Sequence, residues 1–161
     1  MENDLVVLAE QLGIRLKDKR YRIATAESCT GGWIAQTLTE IPGSSAWFDR
    51  GFVTYSNLSK IQMLGIDPQV LSKCGAVSLD IAQQMLAGVF KNSEADIAIA
   101  VTGIAGPDGG SAEKPVGTVY VGRQLKNGLP VVAKLHLSGN RHQIRKETVS
   151  LSIAGALALL Y

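Results

Sequence analysis

Residues 95–101 read Ala-Asp-Ile-Ala-Ile-Ala-Val, an almost unbroken apolar run. A strand with one wet face alternates apolar and polar residues; a run like this suits a strand covered on both faces. Such a strand needs helices above and below it, which points to a layered α/β architecture.

The flanking sequence supplies those layers. Leu5, Leu8, Ala9, Leu12 and Leu16 recur at helical spacing behind a candidate Asn3 cap. Tyr21 to Ala26 reads as a strand and Gly32 to Glu40 as a helix. Gly51 to Tyr55 reads as a second strand, followed by helical stretches at Ser56–Leu64 and Pro68–Lys73. Ser78 can cap a helix whose apolar face is Ile81, Ala82, Met85, Leu86, Val89 and Phe90. Val116–Leu125 and Val131–Leu137 flank Lys126-Asn127-Gly128, a hairpin signal. A last helix runs from about Arg141 to Leu160. The expectation is one domain over residues 1–161: a three-layer α/β/α sandwich whose mixed, mostly parallel sheet ends in a β-hairpin. From Val149 onward the last helix is apolar nearly all round, as expected of a helix buried in the core or packed on another subunit.

With 161 residues the chain can bury a substantial core. A net charge of +2 gives no reason to expect nucleic acid or an anionic membrane as partner. The start, Met1-Glu2-Asn3-Asp4, lacks a basic leader pattern. The longest uncharged apolar stretch, 148–161, is shorter than the roughly 20 residues of a spanning helix. A cytoplasmic location is expected. Cys29 and Cys74 are few and distant, so no disulfide is expected. His136 and His142 are the only histidines, and no cluster has metal-ligand spacing, so no metal site is expected.

Four segments carry polar residues without an obvious structural task. Thr25-Ala26-Glu27-Ser28-Cys29-Thr30-Gly31-Gly32 forms a strand-to-helix turn. Ser28 and Thr30 suit helix capping, yet one cap needs one hydroxyl, so Thr30 can cap while Ser28 faces a pocket. Gly31 and Gly32 allow close backbone approach to a ligand. In Gly51–Lys60, Lys60 is either a surface lysine or, if desolvated, a base for a serine, with Tyr55 as its partner. Thr102-Gly103-Ile104-Ala105-Gly106-Pro107-Asp108-Gly109-Gly110 places a glycine-rich loop where open α/β sheets bind ligands. It lacks the Gly-Lys-Ser/Thr of a P-loop, and no Gly-x-Gly-x-x-Gly lies near the amino terminus. Ser111-Ala112-Glu113-Lys114 has Ser-x-x-Lys spacing, but Pro115 disfavours the helix such a motif opens. Finally, Arg141, His142, Arg145 and Lys146 crowd the start of the last helix against its dipole, as a solvated basic turn or an anion site would.

Taken together, Ala26–Gly32, Gly51–Asn57, Gly75-Ala76-Val77-Ser78, Thr102–Gly110 and Lys114–Val119 resemble the carboxy-terminal domain of the CinA competence/damage-inducible proteins, in particular its stand-alone amidase form. The resemblance spans nearly the whole chain in order. It implies hydrolysis of the carboxamide of nicotinamide mononucleotide to nicotinate mononucleotide and ammonia, in pyridine-nucleotide (NAD) recycling. It further implies Ser28 as nucleophile with Tyr55 and Lys60 as partners, no metal, no organic cofactor, and self-association into a homo-oligomer. With that substrate in place, N–H groups near Gly31 and Gly32 are candidate oxyanion donors. Thr30, Thr102, Gly103 and Gly106 are candidate substrate contacts, and Arg141 is a candidate phosphate clamp. The alternative is a catalytically silent nucleotide-binding or interaction module of the same fold.

Overall fold

The computed structural model describes residues 2–161. Its elements run α1 (Glu2–Lys19), β1 (Ile23–Glu27), α2 (Trp33–Thr39), β2 (Phe48–Val53), α3 (Asn57–Leu64), α4 (Pro68–Cys74), α5 (Leu79–Lys91), β3 (Ile97–Gly103), β4 (Thr118–Leu125), β5 (Val131–His136) and α6 (Arg141–Ala158). A short 3₁₀ turn at Ser44–Ala46 leads into β2. The five strands form one sheet in the order β2-β1-β3-β4-β5. β2, β1 and β3 are parallel, and β4 and β5 add antiparallel pairs. Four strands therefore share one direction and only β4 opposes it. This is the expected mixed α/β sheet with a terminal hairpin.

The apolar run at 95–101 becomes the central strand β3, with residues 97–102 buried. Its two faces differ in size. Ile97, Ile99 and Val101 join one core with Leu5, Leu12 and Leu16 of α1, Ile34 and Leu38 of α2, and Val149 and Ile153 of α6. Ala98 and Ala100 join a second core with Leu64, Leu71, Ile81, Met85 and Leu86 on the α3–α5 side. The small side chains on that face let α5 approach the sheet closely, and Gly88 continues the close packing onto the end of α3. A Cβ on Gly88 would land on the carbonyl oxygen of Leu64.

Capping chemistry explains most helix starts. Ser56, Asp67 and Ser78 accept from Ser59, Gln69 and Ile81 backbone N–H groups. α6 opens with a capping box between Asn140 and Gln143, which offsets the cationic first turn and which the charge pattern alone does not reveal. Two expectations shift. Asn3 lies inside α1 rather than at its cap. β2 begins at Phe48, so Tyr55 falls beyond the strand, because pairing with β1 ends at Glu27↔Val53. Residues 111–117 form a loop without helix, so Ser111 and Lys114 build no Ser-x-x-Lys site; Lys114 Nζ donates to the Cys74 carbonyl, 2.8 Å. The hairpin connection after Leu125 lies opposite Ile97, at the end of the sheet where β3 begins.

The last helix buries Ile144, Thr148, Val149, Ser152, Ile153, Ala156 and Leu157 against the sheet and α1, and leaves Leu151 exposed. Among the described residues no helix is long and apolar enough to cross a membrane.

Gly88→Ala tests the α3–α5 contact. Overpacking against a backbone atom should destabilise the fold by roughly 1–3 kcal/mol, read as a lowered midpoint in chemical denaturation.

Candidate active site

β1, β2 and β3 all end at the same edge of the sheet, and the chain leaves β1 and β2 toward opposite faces. α2 packs in the core shared with α1 and α6, while α3–α5 cover the other face. The crevice at such a topological switch point is the usual ligand site of an open α/β sheet. Here it is a cavity of about 270 Å³. Ser28 and Cys29 just past β1 line it, with Tyr55, Asn57 and Lys60 after β2, Thr102–Gly106 at the end of β3 and just beyond it, and Arg141 at the start of α6.

Ser28 extends the sheet by one rung, its N–H donating to the Val101 carbonyl at 3.1 Å. The chain then turns sharply: Gly31 has φ +62 and its N–H closes on the Ser28 carbonyl at 3.1 Å. Capping of α2 falls to neither hydroxyl. The buried carboxylate of Glu27 accepts from the N–H of Ile34 (2.8 Å) and Ala35 (3.0 Å), and from the Thr30 hydroxyl (2.6 Å). A carboxylate at a helix start also meets the positive end of the dipole. Thr30 is thus corrected from helix cap to a buried donor supporting Glu27. Thr30, Gly31 and Gly32 lie outside the cavity lining, and the Gly31 N–H is spent within the turn. Of the expected oxyanion donors, the Gly31 N–H is therefore already engaged by the Ser28 carbonyl.

Lys60 is the largest fully buried side chain, 1% exposed, although it sits on a surface-facing helix. Its Nζ lies 3.0 Å from Ser28 Oγ, 2.8 Å from the Thr54 carbonyl and 3.1 Å from the Tyr55 carbonyl. No carboxylate is among these three partners. Desolvation pushes the Lys60 pKa below its usual 10.5, with the nearby Cys29 opposing the shift. A neutral amine has two protons and one lone pair. In that form the two carbonyls take the protons and the lone pair faces the Ser28 hydroxyl; as an ammonium, Nζ donates to all three oxygens. The arrangement sets a serine hydroxyl beside a buried amine with no carboxylate among its partners.

Tyr55 holds this lysine through its backbone carbonyl. Its phenol is 59% exposed and accepts from Arg141 Nη2 at 3.0 Å. Arg141 Nη1 donates to the Gly106 carbonyl at 2.7 Å. One guanidinium thus ties the Tyr55 and Gly106 loops at the mouth of the cavity. Thr102 is buried and donates its hydroxyl to the Ala76 carbonyl at 2.8 Å, joining the β3 loop to the segment before α5. Gly103 has no room for a side chain: a Cβ would sit 2.7 Å from Val119 Cγ2. Gly106 has φ +79 and is crowded by Val116. Asn57 and Asp108 also line the cavity; they were not named as site residues, although both lie in the Gly51–Asn57 and Thr102–Gly110 segments that the sequence marks.

Burial raises the pKa of Cys29 to about 11, so this thiol next to Ser28 stays protonated at neutral pH.

The fold and this pair define a class, an α/β protein with a buried serine–lysine site at the carboxyl ends of parallel strands. The chain belongs to the CinA C-terminal domain family, which it matches over residues 6–160. It is 49% identical over 156 residues to the nicotinamide-nucleotide amidohydrolase PncC of Enterobacter agglomerans, covering 97% of this chain and 95% of that one. The Escherichia coli K12 protein of the same name is 45% identical over 152 residues, 94% of this chain and 92% of its own. The crystal structure of the competence/damage inducible protein CihA from Agrobacterium tumefaciens superposes with a TM-score of 0.95 at 46% identity, covering 97% of this chain and 95% of that chain.

Cys29 gives a direct check on which group reacts. Alkylation at pH 8 should be much slower at Cys29 in the native protein than in the unfolded chain, by site-resolved mass spectrometry. Cys29→Ala should keep most of the turnover.

Proposed function

We propose that this protein hydrolyses the carboxamide of nicotinamide mononucleotide to nicotinate mononucleotide and ammonia, a step in pyridine-nucleotide recycling. The observation that carries the reading is the 3.0 Å contact between Ser28 Oγ and a buried, carbonyl-held Lys60 amine. The amidohydrolase relatives that the chain matches along almost its whole length supply the substrate class.

In this reading neutral Lys60 takes the Ser28 proton as Oγ bonds to the carboxamide carbon. The tetrahedral intermediate collapses, its C–N bond breaks, and the proton on Lys60 leaves with ammonia. Lys60 then takes a proton from water, which attacks the ester. The carboxylate departs and Ser28 regains its proton. Each step uses one base at one place, which suits an amine held by two carbonyls. Tyr55 serves as the holder of Lys60 through its carbonyl and as the partner of Arg141 through its phenol. Arg141, beside Gly106 and Thr102 at the mouth, receives the phosphate; an arginine fork suits that oxyanion. Gly103 and Gly106 let the backbone come close to the nucleotide.

We place the reaction in the cytoplasm, consistent with two free thiols at Cys29 and Cys74. We also propose self-association through α1 and α6, which pack on each other and leave Val6, Val7, Ile14 and Leu151 exposed.

Ammonia release from nicotinamide mononucleotide tests the reading. Purified wild type should turn over while folded Ser28→Ala does not, and Lys60→Ala should lose at least about 10²-fold. Saturable nucleotide binding without ammonia would instead identify a silent binding module. The pH profile supplies a second check. The active base is the neutral amine, and burial lowers its pKa, so kcat/KM should rise with pH through a midpoint below 10.5 and level off above it. A wild-type profile with no such limb removes Lys60 as the base.

A further inference from the structure

We propose that Arg145 is a positioning residue for the nucleophile, acting through the backbone of the Ser28 turn. The inference rests on the reading of Ser28 as nucleophile. Arg145 lies one helical turn beyond Arg141 on α6, is half-buried, and is not part of the cavity wall. Its Nε donates to the Cys29 carbonyl at 3.0 Å and its Nη2 to the Thr30 carbonyl at 3.1 Å. The guanidinium also stands 5.5 Å from the centre of the Trp33 ring, which restrains its plane.

The geometry has a specific effect on the turn. In a trans peptide the C=O and the following N–H point in opposite directions. Drawing the Cys29 and Thr30 carbonyls toward α6 therefore turns the N–H groups of Thr30 and Gly31 away from it. The Gly31 N–H then reaches the Ser28 carbonyl and closes the turn. On the other side of Ser28, its own N–H is held by Val101. The backbone of Ser28 is thus fixed from both directions, and its side chain is directed at Lys60. The anchor is firm because the capping box at Asn140 and Gln143 fixes the first turn of α6. A planar fork with several donors can satisfy two adjacent carbonyls at once; a lysine ammonium presents no such fork.

Steady-state kinetics of Arg145→Ala and Arg145→Lys with nicotinamide mononucleotide test this, beside thermal unfolding and Ser28→Ala as control. A displacement of about 1 Å at a reacting centre can cost roughly 10²-fold. Folded Arg145→Ala should therefore lose about 10- to 100-fold in kcat while KM stays within about threefold. Guanidinium ion at non-denaturing concentration should restore part of the kcat of Arg145→Ala and leave wild type unchanged, which a global folding defect would not do. Folded Arg145→Lys should also lose kcat, and it carries the test if the alanine variant does not fold. Wild-type kcat in either folded variant, or a rise in KM with kcat intact, overturns the proposal. Turnover retained by Ser28→Ala overturns the nucleophile assignment and this inference with it. A silent Ser28→Ala beside a fully active Arg145→Ala overturns this inference alone.

Discussion

Everything at the crevice depends on one buried amine. Moving a lysine head group out of water is costly unless its protons find partners or its charge is lost. Lys60 meets both conditions: the Thr54 and Tyr55 carbonyls accept from it, and burial favours its neutral form. Those carbonyls are available because β2 stops at Val53, after which the chain turns away before the Ser56 cap starts α3. The same short connection therefore ends a strand, caps a helix and holds the buried amine. α3 in turn is fixed by Gly88 of α5 pressing on its last turn. Packing far from the crevice thus sets where Nζ stands.

A second set of constraints reaches the crevice from the end of the chain. α6 places two arginines one turn apart, one on the cavity mouth and one on the back of the Ser28 turn. A cationic first turn opposes the helix dipole. The Asn140–Gln143 box offsets part of that cost, and the carbonyls of Gly106, Cys29 and Thr30 absorb much of the donor capacity. The charge conflict visible in the sequence is thus resolved by carbonyls 35, 115 and 116 residues away as well as by local capping.

Much of this was legible in the sequence. The apolar run at 95–101 marked the central strand, and the hydroxyl-rich turn and glycine loop marked the crevice edge. The residue types at Ser28, Tyr55 and Lys60 identified the groups that meet there. What could not be read was which atom of each residue is used. Tyr55 looks like a phenol awaiting a proton, yet its carbonyl is what touches Lys60, and side-chain chemistry says nothing of carbonyl directions. Thr30 and Ser28 both look like caps, but a carboxylate from the preceding strand takes that task, because Glu27 is oriented by the sheet rather than by the helix. Gly31 looks like an oxyanion donor until the turn is closed and its N–H is found inside it. Arg145 lacks any motif of its own; its partners lie 115 and 116 residues distant.

The hairpin at the other end of the sheet follows a different logic. Residues 126–130 connect β4 to β5 beside the beginning of β3, a full strand length from the crevice. Leu129 there is 87% exposed, and Asn127 occupies the left-handed region that a free-standing loop tolerates. The crevice therefore lies at one pole of the molecule and the hairpin loop at the other. The hairpin offers a place to graft a fluorophore, an affinity peptide or a surface tether, oriented so that the crevice mouth faces bulk solvent.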